Sequence, residues 1–513
     1  MRDDDPEPTL TRLVPRQFVL LLLAPLLAWP AMVNGSAFFF DDTAAYIRGV
    51  DALAVRTLGR SSDWTIERTL KVAQRTPQTA RAKQTIVAPT VRAEPGSTNK
   101  PILTGRSPFY GALAYLGVLF GTFWIVVAVQ TLAATAALIG VVRHAVDPAR
   151  ERAFMTTAVA VIAIALLTPL PYFACMLMPD IFAGLAILAA AVLLSGWRRE
   201  TPAGRVGWVA LAGYGALTHS ATTLILLAIA GSAGLLLLVR RRIGLHPRAI
   251  ALVAAAGLLG LVGDTSFGIA IERATGAPPI RPPFLTARLT ADGVGTDYAR
   301  AHCATEHWVI CRHLDQLPLH SDSFLWSGDP ATGVFTAASP AEARALSDEQ
   351  MRFVFAVLRD RPVATLGASL NAMGEQFTQV GLPEFRYASA EFQNFERKIP
   401  SSVVAQLRTT AAFRGTMPID LIGALTWPLL LASVMVIGWA ARRADLREQA
   451  LLGAWTLLGW IANVAICGAL STPHERYNMR VIWLLPIAAS VIVARAVIIQ
   501  RRAPIARNLA IGS

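Results

Sequence analysis

Long apolar runs alternate with short arginine-bearing polar segments along this chain. A helix needs about 20 apolar residues, at 1.5 Å of rise each, to cross a bilayer core of about 30 Å. Residues 16–35 form the first such run. Residues 109–142 are too long for one crossing, and the Gly- and Tyr-rich part 109–120 reads as a surface or re-entrant helix. Runs at 153–167 and 181–195 follow, separated by Thr168-Pro169-Leu170-Pro171 and Pro179-Asp180, where prolines disfavour a continuous helix. Residues 206–239 lie between Arg205 and Arg240, so equal flanks demand two short helices meeting at Thr218-His219-Ser220. Further runs lie at 248–263, 419–441, 450–470 and 481–499. The pattern predicts an all-α polytopic membrane protein with about ten transmembrane helices. It divides the chain into an N-terminal transmembrane module (1–263, with an outer loop at 36–108), a polar domain (264–418) and C-terminal transmembrane helices (419–513). The polar domain is expected to be α-rich or mixed, with a helix at 347–358.

Composition agrees and adds sidedness. Of 513 residues, 54% are hydrophobic and only 16% charged, well below the globular norm. The net charge of +13 sits in arginines between apolar runs, as in cytoplasmic loops, which excludes nucleic acid as the partner. Asp3 to Asp5 and then Arg12 and Arg16 precede the first run and hold its start inside. Both termini are therefore expected in the cytoplasm of a multi-pass protein of the bacterial inner membrane, with 36–108 and 264–418 in the periplasm. The first outer loop carries Arg60, Arg68, Lys71, Arg81, Arg92 and Lys100, a surface for anionic membrane lipids or simply a solvated loop. Cys303 and Cys311 are expected to form a disulfide in an oxidising compartment, ahead of a zinc site with His302, His307 and His313. No P-loop or dinucleotide-binding glycine pattern occurs, which points away from a cytoplasmic nucleotide.

The candidate chemistry lies at the outer rim. There the topology gathers Asp41, Asp42, Arg48, Arg106, Asp180, His219, Asp264, His474, Glu475, Arg476 and Arg480, while mid-membrane charge is nearly absent. An ion-coupled transporter needs charge or broken helices near the midplane. The adjacent carboxylates of Asp41 and Asp42 either cap the helix that follows or do chemistry. Residues 471–480, read as a hairpin, put two arginines, a histidine and a glutamate on the side that the positive-inside rule disfavours. An anionic ligand such as a lipid phosphate explains them, with Arg476, Arg480, His474 and Arg106 as its binding groups; snorkelling to headgroups is the alternative.

Taken in order, these motifs resemble the GT-C superfamily of polyprenyl-phosphate-sugar-dependent glycosyltransferases, such as protein O-mannosyltransferases and the lipid A aminoarabinose transferase. Asp42-Thr43-Ala44-Ala45-Tyr46 looks like the acidic motif after the first span. Gly105-Arg106-Ser107-Pro108-Phe109-Tyr110, with Gln130 beyond, is similar to the segment leading into the second. Pro179-Asp180 and Glu475-Arg476-Tyr477 look like the motifs before the fourth and last spans. The likeness covers about the first 240 residues and the last 60; the polar domain matches nothing in it.

The resemblance implies transfer of a sugar from a polyprenyl-phosphate donor to a lipid, glycan or protein acceptor of the cell envelope, with inversion. It implies that Asp42 or Asp41 deprotonates the acceptor while arginines hold the donor phosphate. The spacing to Tyr46 favours Asp42 as the base. Tyr110, His219, Glu475 and Tyr477 are further site candidates. The sequence identifies no definite cofactor: the acid pair either has a raised carboxyl pKa, which suits a base, or is neutralised by a divalent metal. The rival readings are a lipid or polysaccharide transporter or flippase, and a non-catalytic membrane scaffold. Convergence of Asp42, Arg106, Asp180 and Arg476 on one outer cavity discriminates among them.

Overall fold

The computed structural model describes residues 16–59, 61–75, 106–240 and 244–511. Asp3 to Asp5, Arg12, Arg60, Arg81, Arg92, Lys100 and Gly105 lie outside the described residues. Among the described residues every regular element is helical, and the one extended pairing is a parallel bridge between Phe38 and Met176. Six helices are long and apolar enough to cross a membrane: Trp124–His144, Ser220–Val239, Pro247–Thr275, Ile419–Ala441, Ala444–Leu470 and Glu475–Arg501. Pro108–Leu119 and Asp180–Gly196 are shorter apolar helices. This is an all-α membrane protein.

The breaks have local causes. The first run is a 3-10 segment, Arg16–Leu23, and two short helices, Ala24–Leu27 and Trp29–Asn34, each with a proline in its first turn. The 109–142 run breaks at residues 120–123 into Pro108–Leu119 and Trp124–Val141. The 206–239 run divides at His219 into Pro202–Thr218 and Ser220–Val239, as the arginine flanks require.

The short Asp180–Gly196 helix is the axis of the fold. It is apolar around its circumference and buried on nearly every residue, the state that such a helix must reach. Gly184 lets the last helix approach it, since a Cβ there would lie 2.7 Å from the Trp483 ring. The end of the bundle where this helix finishes holds a second polar group: Arg143 with Glu200, Arg199 with Glu448, and a buried His144 whose carbonyl accepts from Gln449.

Two of the expected helices are longer in the structure. The helix expected at 248–263 runs to Thr275 and ends at left-handed Gly276 (φ 77°). Asp264 therefore lies mid-helix, exposed and paired with Arg281 at 2.9 Å, away from the other rim residues. The second hydrophobic core joins buried residues from Ile280 to Val357, whereas Leu382 to Met417 pack into the main core. The 347–358 helix is longer, Pro340–Asp360, capped by Ser339. Cys303 and Cys311 form the disulfide.

Candidate functional site

Residues 38–42, ahead of the Thr43–Leu58 helix, are held by pairing to distant backbone and side-chain groups. The Phe38 amide donates to the Cys175 carbonyl at 3.0 Å, and the Leu177 amide donates to the Phe38 carbonyl at 2.8 Å. The Phe39 amide donates to the Tyr387 hydroxyl at 2.9 Å, and the Thr43 hydroxyl to the Leu177 carbonyl at 3.1 Å. The chain leaves helix between Cys175, the last residue of Leu170–Cys175, and Asp180, so the Cys175 and Leu177 carbonyls are available. The buried Gln130 amide secures the same segment, donating to Ala174 and Met176 at 3.0 and 2.9 Å and accepting from the Tyr110 hydroxyl at 3.1 Å. The acid pair is thereby fixed beside Pro179-Asp180.

Asp42 stands at the start of the Thr43–Leu58 helix, but its side chain caps nothing. Its Oδ1 accepts from Arg106 Nη2 at 2.5 Å. Arg106 immediately precedes Ser107, which caps Pro108–Leu119, and its guanidinium lies over the Trp326 ring. That helix packs on Thr43–Leu58: a Cβ on Gly111 would lie 2.7 Å from the Tyr46 carbonyl, and the Tyr46 and Tyr110 rings meet edge to face at 5.1 Å. Asp41 turns the other way. Its Oδ2 accepts from Asn394 Nδ2 at 3.1 Å, and Lys398 Nζ stands 3.9 Å from Oδ1. Oδ1 is buried without a hydrogen bond. Burial raises the Asp41 carboxyl pKa; Lys398 opposes this and the neighbouring Asp42 adds to it.

Residues 471–480 are not a hairpin. Pro473 and His474 lead into a buried helix, Glu475–Ile482. Helical spacing puts Arg476 and Arg480 on one face, and both reach the buried Asp180: Arg480 Nη1 at 3.2 Å from Oδ1, Arg476 Nη1 at 3.7 Å from Oδ2. The two arginines differ. Arg480 is fully buried, and each of its guanidinium nitrogens has a protein partner among Asp180, Asn463, Cys467 and His219. Its guanidinium is therefore fully engaged by the protein, at the position where a phosphate contact was expected. His219 Nε2 is 3.2 Å from it, and His219 Nδ1 caps Ser220–Val239.

Arg476 Nη1 is buried without a hydrogen bond, as is Asp180 Oδ2. Its guanidinium lies 4.2 Å from the Phe40 ring centroid, and the charges of Asp180, Asp42 and Glu384 act on it. Asp42, Arg106, Asp180 and Arg476 thus form one electrostatic neighbourhood, in which the Tyr46 ring is also buried. His474 instead pairs with Asp322 (Nε2 to Oδ2, 3.2 Å). Tyr477 offers its carbonyl to Asn463 Nδ2 at 2.6 Å, and Glu475 faces a separate cleft.

Sequence reasoning missed Asn394, Lys398 and Glu384. Asn394 and Lys398 arrive from more than 300 residues beyond Asp41, Glu384 lies about 90 residues before Arg476, and no local motif announces any of them. Glu384 has a buried Oε2 without a hydrogen bond, and burial pushes its carboxyl up to about 7 against the pull of Arg476. The acid pair does not fit a metal ion: Asp42 is tied to Arg106, Asp41 to Asn394, and among the described residues no three His, Cys, Asp or Glu side chains are grouped to hold one. No family model, curated protein or solved structure matches this chain.

Proposed function

We propose that the chain is a glycosyltransferase that moves a sugar from a polyprenyl-phosphate donor to an envelope lipid, glycan or protein. In this reading it sits in the bacterial inner membrane with about ten crossings, both termini cytoplasmic and the site periplasmic. The observation that carries the reading is Arg476: a buried guanidinium with an unused donor, facing a fixed group of carboxylates. A buried cation with spare donors suits a phosphate. A lipid phosphate leaving group needs such charge and little acid assistance. Arg106, drawn to Asp42, is the second cation within reach.

The reaction then needs one base. Asp42 is occupied by a short ion pair, its Oδ1 taken up by Arg106. Asp41 keeps an oxygen that accepts no hydrogen bond, with only the longer Lys398 contact, and a raised pKa. The base is therefore assigned to Asp41, with Asp42 holding Arg106, which reverses the preference drawn from the spacing to Tyr46. Asp41 takes the proton from the acceptor hydroxyl as that oxygen attacks the anomeric carbon. The bond to the lipid phosphate breaks, and the polyprenyl phosphate leaves against Arg476. The test is transfer from a radiolabelled polyprenyl-phosphate sugar by purified protein. Asp41→Asn should lose at least about a hundredfold in turnover with donor binding retained, and Asp42→Asn should weaken donor binding. Wild-type turnover in Asp41→Asn removes the base assignment, and no transfer from any lipid-linked sugar removes the reading.

A further inference from the structure

Beside residues 380–388 lies a cleft of about 720 Å³, the size of a small-molecule site. Its walls come from that segment, from residues 413–415, from the first turns of Ile419–Ala441, and from Glu475. Much of its lining is apolar, including Leu382, Phe413 and Ile419. It opens onto Gly423 and Ala424, at the head of a helix long and apolar enough to span a membrane. Further along the same helix Leu431 and Met435 are exposed. An apolar cleft that continues onto a membrane helix suits a ligand with an acyl chain.

The charges on the lining narrow the ligand. They are Arg386, Arg414, Asp420 and Glu475. Arg386 and Asp420 neutralise each other at 3.0 Å. Among the described residues no carboxylate pairs with Arg414 and no cation pairs with Glu475; Arg414 donates only to the Thr409 carbonyl. One cation and one anion are left on the lining, on different elements, and a headgroup of one sign alone would leave one of them opposed. A headgroup carrying both a phosphate and an ammonium satisfies the two.

We propose that this cleft binds a phosphoglyceride with a primary-ammonium headgroup, its phosphate on Arg414, its ammonium on Glu475 and its acyl chains along the Gly423 face of the helix. The site is separate from the ionic cluster at Arg476 and does not depend on sugar transfer.

The experiment uses the full-length protein in detergent, without any sugar donor. Native mass spectrometry follows retention of phosphatidylethanolamine, phosphatidylglycerol and phosphatidylcholine with identical acyl chains. The wild type should hold phosphatidylethanolamine about tenfold more tightly than either of the others, the contribution of one charge-assisted contact. A Cβ at Gly423 meets no atom within 4 Å, so Gly423→Trp fills the cleft without displacing the protein and should abolish that binding. The near-isosteric Glu475→Gln should bring phosphatidylethanolamine down to the level of phosphatidylcholine. Equal retention of the three lipids by the wild type overturns the proposal, as does wild-type retention by Gly423→Trp. Asp41→Asn should retain the lipid in full, which keeps this result independent of the transferase reading.

Discussion

Arg476 and Arg480 are four positions apart on one short helix and share Asp180, yet they have different jobs. Arg480 is enclosed, and its removal takes away the guanidinium that hydrogen-bonds Asp180, leaving that buried carboxylate only the longer pairing with Arg476 at 3.7 Å. Breaking a buried pair in this way costs about 3–5 kcal/mol. Arg480→Ala is expected to lower the unfolding midpoint strongly in a scanning-fluorimetry measurement. Arg476→Ala should leave Asp180 paired with Arg480, keep most of the stability and lose donor-lipid binding. Equal thermal losses in the two variants would erase this distinction. Glu384 supplies a second residue-level test. Its pKa in the fold is raised to about 7 from an ordinary 4.5. Between those values the folded state holds the extra proton, so stability falls as pH rises through the window. The loss is on the order of 2 kcal/mol once partial solvent screening is allowed for. In Glu384→Gln the unfolding midpoint should vary less between pH 5 and 7.5; an unchanged slope would show that the carboxyl is already ionised.

At the scale of elements, the site depends on a non-helical link. Residues 176–179 link two helices without being helical and are latched by Gln130, and Phe38 pairs with Met176. Gln130→Leu leaves the Tyr110 hydroxyl and two carbonyls without their buried partner. That is a cost of about 2–4 kcal/mol, and it should loosen Asp41 and Asp42 together. Limited proteolysis should then cut within 36–42 faster than in the wild type. The helices themselves were legible: apolar length and flanking arginines gave 419–441, and equal flanks gave the break at His219. The Glu475–Ile482 helix was misread as a hairpin because charge in an apolar stretch suggests a loop. The four-residue spacing of its arginines was the signal for a helix face, and the buried partner that makes the charge tolerable, Asp180, lies 300 residues earlier. Asn394, Lys398 and Glu384 were illegible for the same reason, since only tertiary packing brings them to the acid pair and Arg476.

At the scale of the whole molecule, two hydrophobic cores meet near the site. Ser321, beside the smaller core, hydrogen-bonds Thr472 just before the arginine helix, and Trp326 lies under Arg106. The smaller core therefore covers the ionic cluster, and its compartment fixes the compartment of the chemistry. The thiols report that compartment. Cys303 and Cys311 are joined near the smaller core, whereas Cys175 and Cys467 are free and buried in the bundle. Protein taken from membranes under acid quench and denatured without reductant should accept two maleimides, on Cys175 and Cys467, and reduction should expose the other two. That pattern places the smaller core, and with it Arg106 and Arg476, on the oxidising side, where a lipid-linked sugar on the outer leaflet is available. Four reactive thiols before reduction would put the core in the cytoplasm, invert the topology and remove the donor's leaflet from the site.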